Sequence, residues 1–268
     1  MSNSKDYKQE IVELERSNDK RPDPKPRKRP HLWQMYLIWS ELVELRKRHI
    51  LRISSIERGK SNLDAEMEYE FLSQMALDEN IKNVKKAMCE LGAASTPIVW
   101  TWLTGIRGLG EGNLVACLVA QIDDIAKFDT ISKLWRFSGY AVIDGKREYA
   151  NQGKKLTYNR SLKSIVYLIG DMFIKQRTGV YRDVYDKAKE EYQRRYPEPV
   201  VVDGKKKYTK GHIDYMARRK MVKLFLSHLW TIWRESEGLP VTKPYVESIL
   251  GHENIIKPYI VSEVLQEA

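Results

Sequence analysis

Large apolar side chains recur at spacings of three and four from Leu32 through Met35, Tyr36, Trp39, Leu42, Val43 and Leu45. That period belongs to one face of an α-helix, and it predicts a long amphipathic helix reaching about Glu57. Gly59-Lys-Ser-Asn62 breaks it. The period resumes from about Leu63 to Leu91, with Met67, Phe71, Met75, Ile81, Val84 and Met88 on one side and Gly92 as the expected stop. Two long helices joined by so short a break are expected to pair as an antiparallel hairpin or coiled-coil arm over residues 31–92. The arm would either stabilise the chain or join two copies as a homodimer.

The rest of the chain reads as mainly α. Ala141-Val-Ile-Asp-Gly-Lys-Arg-Glu-Tyr149 suits a β-hairpin, because Asp144-Gly145 fits a two-residue turn. Thr157–Lys175 is helical, with Leu162, Ile165, Val166, Ile169 and Phe173 in phase. Tyr181–Tyr196 forms another helix, stopped by Pro197 and Pro199, and Val200–Tyr208 suits a second small hairpin. His212–Ser236 is a long helix with Met216, Met221, Leu224, Phe225, Leu229, Ile232 and Trp233 inward, ended by Gly238-Leu-Pro240. The expected organisation is a polar tail over 1–30, the arm, a second domain over 93–200 and a C-terminal helical extension over 201–268.

Composition narrows the function classes. The 268 residues are 42% hydrophobic with seven Trp and fifteen Tyr, enough for a sizeable core. Cys89 and Cys117 are the only cysteines, too few for a disulfide framework or a Cys-rich zinc module. No apolar run approaches a membrane span, and the polar start has no signal-peptide core, so a cytoplasmic protein with no membrane partner is expected. The net charge is +10. Residues 144–223 hold 21 Lys+Arg against 10 Asp+Glu, and the remainder is nearly neutral. A polyanionic partner is implied. Lys20-Arg-Pro-Asp-Pro-Lys-Pro-Arg-Lys-Arg-Pro30 is a smaller basic concentration, either a solvated proline-stiffened linker or an arm that lies on phosphates.

The informative stretch is Thr104-Gly-Ile-Arg-Gly-Leu-Gly-Glu-Gly-Asn-Leu-Val-Ala-Cys-Leu-Val119. Ile106-Arg-Gly-Leu-Gly110 has the h-x-G-h-G form of a helix-hairpin-helix turn, followed by an amphipathic helix. Gly108 and Gly110 allow backbone angles closed to other residues and let a phosphate approach the chain. Amides at the next helix start would face that phosphate, aided by the helix dipole, while Leu109 pins the turn into the core. Trp100 and Trp102 upstream are expected in the core. The bland alternative is a glycine turn between packed helices with nothing bound. The adjacent basic stretch favours nucleic acid, held through its backbone without base readout.

At this point the chain resembles a family, the C-terminal domain of the bridge-RNA-guided DEDD-type insertion-sequence transposases. The resemblance runs through Ile106–Gly110, Leu114-Val-Ala-Cys-Leu-Val-Ala-Gln-Ile122, Phe128-Asp-Thr-Ile-Ser-Lys-Leu134, Ser138-Gly-Tyr140, Gly153-Lys-Lys155 and Asn159-Arg-Ser-Leu-Lys163. The upstream helical hairpin also resembles the coiled-coil arm preceding that domain. Two departures bear on activity. Only about thirty polar residues precede the arm, so the family's acidic, magnesium-binding domain is expected to be missing. No serine lies between Ser138 and Ser161 where the family carries its nucleophile, and Tyr158 replaces a glycine. Tyr149 or Tyr158 would be the substitutes.

Other candidates carry less. Asp123, Asp124 and Asp129 could hold a divalent ion but suit helix-end capping better. His212 and His228 are too far apart on one helix to share a metal, and His252 suits a turn. Lys205-Lys-Lys207 and Arg218-Arg-Lys220 suit solvated faces or phosphate contacts. The resulting expectation is an all-α DNA-binding protein without its own catalysis and with no cofactor. Its contacts would come from Arg107, Gly108, Gly110, Lys146, Arg147, Lys154, Lys155, Arg160 and Lys163. The alternatives are a transposase or recombinase subunit working with a catalytic partner, and a structural protein whose basic face binds RNA or an acidic protein.

Overall fold

The computed structural model describes residues 26–59, 64–110, 112–142, 156–177, 179–202 and 205–241. Within them lie eight α-helices, one short 3₁₀ turn and one small two-stranded antiparallel β-hairpin. The helices are α1 (Pro30–Glu57), α2 (Asp64–Ser95), α3 (Pro97–Gly105), α4 (Asn113–Ile122), α5 (Ile131–Phe137), α6 (Arg160–Lys175), α7 (Val180–Arg195) and α8 (Lys210–Ser236). The 3₁₀ turn is Ile125–Lys127, between α4 and α5. The hairpin pairs β1 (Val200–Val202) with β2 (Lys205–Lys207), Val201 opposite Lys206. The Ala141–Tyr149 hairpin falls almost wholly outside the described residues, as do most of the polar tail, Tyr149 and His252.

Helices α1 and α2 pack along one another, joined by an Arg46–Asp78 ion pair. Proline at the first position of α1 supplies a preset φ and no unused N–H. Leu77, Ile81 and Met88 of α2 are buried, but Met75, expected on the inner stripe, is 67% exposed. Gly92 does not stop α2, which continues to Ser95. Its role is close approach: a Cβ at Gly92 would stand 2.5 Å from Cζ3 of Trp100 in α3. Gly92→Ala is expected to destabilise the fold. Overpacking costs about 1–3 kcal/mol, against a helix-propensity gain of about 1 kcal/mol, and a urea midpoint unchanged or raised would contradict it.

The core runs unbroken from Leu32 and Tyr36 in α1 to Trp230 and Trp233 in α8. Helix α4, expected amphipathic, is buried at every position from Val115 to Ile122. It is enclosed because α1, α2, α3 and α6 all pack on it, and a helix apolar on all sides belongs inside. Helix α8 packs against α3, α5, α6 and α7. Its inner set includes Ile213, Ala217, Val222, Leu226, His228 and Trp230 besides the expected Met221, Phe225, Leu229 and Trp233. Met216, Leu224 and Ile232 are only half-buried. Among the described residues no helix is long and apolar enough to cross a membrane.

Candidate nucleic-acid interface

The glycine turn joins α3 to α4. Gly108 has φ +99° and Gly110 φ +55°, both in the region that favours glycine. Leu109 is buried, donating its N–H to the Ile106 carbonyl at 3.1 Å, and so fixes the turn against the core. Gly112 occupies the N-cap of α4 and contributes no side-chain cap. The N–H groups of Gly108, Gly110, Asn113 and Leu114 have no backbone acceptor among the described residues. Apart from its chain neighbours, no described residue comes within 4 Å of a Cβ built at Gly110, so the space above it is open. At Gly108 a Cβ would stand 2.6 Å from Cγ of Gln176. The turn therefore sits beside the C-terminal end of α6, where exposed Arg177, with φ +59°, follows Gln176.

This placement divides the expected contact set. Arg160 and Lys163 lie on the first turn of α6, at the opposite end from Gln176. Sixteen residues at 1.5 Å rise separate Arg160 from Gln176 by about 24 Å. Asn159 caps that far end, accepting from the Leu162 N–H at 3.0 Å, and its amide donates to Gln121 at 2.7 Å. Lys163 covers the Tyr158 ring at 4.2 Å and closes over Gly139. Lys146, Arg147, Lys154 and Lys155 lie outside the described residues. Helix α6 thus has a glycine turn at one end and a cationic, aromatic surface at the other.

Many cations of this stretch are held in internal ion pairs, although each pair also engages an acidic residue and so leaves the net excess unchanged. Lys175 and Arg218 pair with Asp171, Arg182 with Asp186, Lys189 with Asp214, Arg195 with Glu191, and Lys220 also with Glu191. Arg218-Arg219-Lys220 is accordingly not a uniform solvated run. Arg218 turns to Asp171, Arg219 donates to the carbonyls of Tyr140 and Ala141, and Lys220 reaches α7. Lys223 lies over the Trp135 ring at 3.8 Å; burial, then the neighbouring Arg219 charge, pushes its ammonium below the usual range. Arg107, Arg160 and Arg177 are exposed. Tyr167 and Tyr215 were not singled out from the sequence. The available signal was aromatic residues in α6 and α8 that fall off the apolar stripe.

The end of the basic tail is neutralised as well. Lys28 and Arg29 donate their backbone N–H groups to the Asp123 carboxylate at 3.3 and 2.9 Å. The buried Arg29 guanidinium donates to the Asp123 carbonyl and, at 2.9 Å, to Glu237. Arg27 lies over the Trp33 ring at 3.3 Å. Lys28-Arg29 therefore bonds to the core rather than lying open to phosphates. Asp123 also accepts from Lys127 at 2.7 Å, and Asp124 caps the 3₁₀ turn. These carboxylates clamp the chain, which accounts for them without an ion. Among the described residues no group of three or more His, Cys, Asp and Glu side chains is placed to hold a metal.

Candidate nucleophiles are similarly occupied. Ser138 is fully buried and donates to the Leu134 carbonyl at 2.8 Å. Burial pushes the Cys117 thiol up to about 12, so it stays protonated near neutral pH. His212 accepts from the Tyr208 N–H at 3.0 Å, and buried His228 shares a 2.9 Å hydrogen bond with Tyr181. Trp100 and Trp102 are core residues, as expected. Compared with known proteins, the chain matches no family model, and no curated protein resembles it at a significant level.

Proposed function

We propose that this is a DNA-binding protein related to the insertion-sequence transposases, gripping the duplex backbone at the 106–112 turn and without catalysis of its own. On this reading α3, the turn and α4 act as a helix-hairpin-helix unit, and α1 with α2 as a coiled-coil arm able to join two copies. The observation that carries it is the open space above Gly110 together with amides leading into α4 that have no backbone acceptor among the described residues. A phosphate oxygen there would accept from those N–H groups and meet the positive end of the helix dipole. Arg107, within the turn, and Arg177, next to Gln176, would supply counterion-releasing charge. Such contacts position a duplex without reading its bases.

The test is duplex binding by fluorescence anisotropy across a salt series. Affinity is expected to fall steeply between ~50 and ~200 mM salt, with little change among duplex sequences. A flat response, or strong preference for one sequence, would contradict the reading. Competition with RNA of the same length distinguishes the ligand, since tighter RNA binding would replace DNA as the partner.

A further inference from the structure

Helix α6 has two dissimilar faces. Leu162, Ile165, Val166, Ile169 and Phe173 enter the core. Arg160, Lys163, Ser164, Tyr167 and Leu168 form the outward stripe, with Tyr167 39% and Leu168 49% exposed. Helix α8 runs close beside it: a Cβ at Gly170 would stand 2.8 Å from Cγ2 of Val222. That approach brings Arg218 to 4.5 Å from the Tyr167 ring centroid. Tyr215, 54% exposed, stands beside Tyr167. Tyr140, Lys163, Ser164, Tyr167 and Leu168 line an open depression of about 370 Å³.

Aromatic rings beside an apolar floor suit a flat aromatic ligand, and the surrounding cations suit one whose rings are linked by negative charges. Unpaired nucleotides combine both properties. A duplex keeps its base faces inside its own stack, so this surface and the glycine turn would take different parts of a DNA molecule. Tyr167 stands nine residues from Gln176, about 14 Å along the helix, which makes it a separate place from the turn.

We propose that the Tyr140–Lys163–Tyr167–Leu168 depression binds unpaired single-stranded DNA, stacking a base on Tyr167 while Arg160 and Lys163 meet the flanking phosphates. This rests on the DNA reading above only for the identity of the polymer.

The experiment compares the full chain on four labelled probes: oligo(dT), oligo(rU), an abasic strand of equal length, and a duplex. Stacking contributes about 1–3 kcal/mol per base, or about 5- to 150-fold, so oligo(dT) should bind several-fold more tightly than the abasic strand. Tyr167→Ala should remove most of that preference, Tyr167→Phe should keep it, and both should leave duplex binding unchanged. Thermal melts of the two variants report whether the fold is retained. Equal binding of oligo(dT) and abasic strand by the unaltered protein, or a preference that survives Tyr167→Ala, overturns the proposal. Tighter, Tyr167-dependent binding of oligo(rU) overturns it in favour of RNA. Duplex binding with no oligo(dT) binding defeats this proposal alone, and the converse defeats the duplex reading alone.

Discussion

Asp123→Ala is expected to be among the most destabilising single substitutions, lowering stability by about 3 kcal/mol, because it strips charged hydrogen bonds from a buried cluster. For a chain of this size that corresponds to a melting temperature lower by roughly 6–12 °C. Asp123 is 1% exposed and has φ +63° and ψ −60°. Its neighbours close a three-residue turn, with the Asp124 N–H donating to the Ile122 carbonyl at 2.7 Å. This positive-φ form of the γ-turn is rare and strained, and such strain persists only where surrounding contacts hold it. The holding contacts come from Lys28, Arg29 and Lys127. Asp123→Gly loses the same contacts but relieves the backbone, so it should be less damaging than Asp123→Ala by about 1 kcal/mol. Equal melts for the two would remove strain from the account.

The same cluster gives a pH dependence with a definite sign. Burial works against ionisation of Asp123, but hydrogen bonds from Lys127, Arg29 and Lys28 outweigh it and hold the carboxyl below the usual range. Glu237 is likewise lowered: burial opposes, while hydrogen bonds from Lys28, Trp233 and Arg29 prevail. A carboxylate depressed in the folded state contributes stability above its unfolded pKa and loses it as pH falls through the folded value. The contribution is therefore whole above about pH 4 and lost below it. Asp123→Asn should flatten that acid limb of a melting-temperature profile, and an unchanged limb would contradict it.

Gly110→Asp is expected to weaken duplex binding at least ~10-fold, a loss of about 1.4 kcal/mol, while the melting temperature changes little. Apart from its chain neighbours, no described residue has an atom within 4 Å of the new Cβ, and aspartate tolerates a φ near +55° better than most residues. The folded chain therefore has room for it. A phosphate does not, because the added carboxylate would stand where the anion approaches and repel it. Gly108 is a poorer test. Its φ of +99° and the Gln176 side chain 2.6 Å from a Cβ mix folding damage with any binding loss. Retained affinity in folded Gly110→Asp would exclude the turn from the binding surface. Loss of folding along with binding would show the turn to be structural.

What the sequence determined by itself was local. The three-and-four spacing from Leu32 predicted α1 to within two residues at its start, whereas α6, expected from Thr157, begins at Arg160 behind the Asn159 cap. The glycines at 108 and 110 were legible as positive-φ positions because few other residues adopt them. Relations across the chain were not legible. Gly92 reads as a helix stop, and only the arrival of Trp100 makes it a packing position. Lys28 and Arg29 read as free charge until Asp123, some ninety residues away, accepts their N–H groups. Proximity in sequence suggested one binding site reaching from Gly108 to Lys163. Folding places those residues at opposite ends of α6, because a rigid helix converts sixteen residues into about 24 Å. Backbone period and turn chemistry are encoded residue by residue. Which cations remain free, and which rings stand together in solvent, depends on helix packing, and only the tertiary structure decided it.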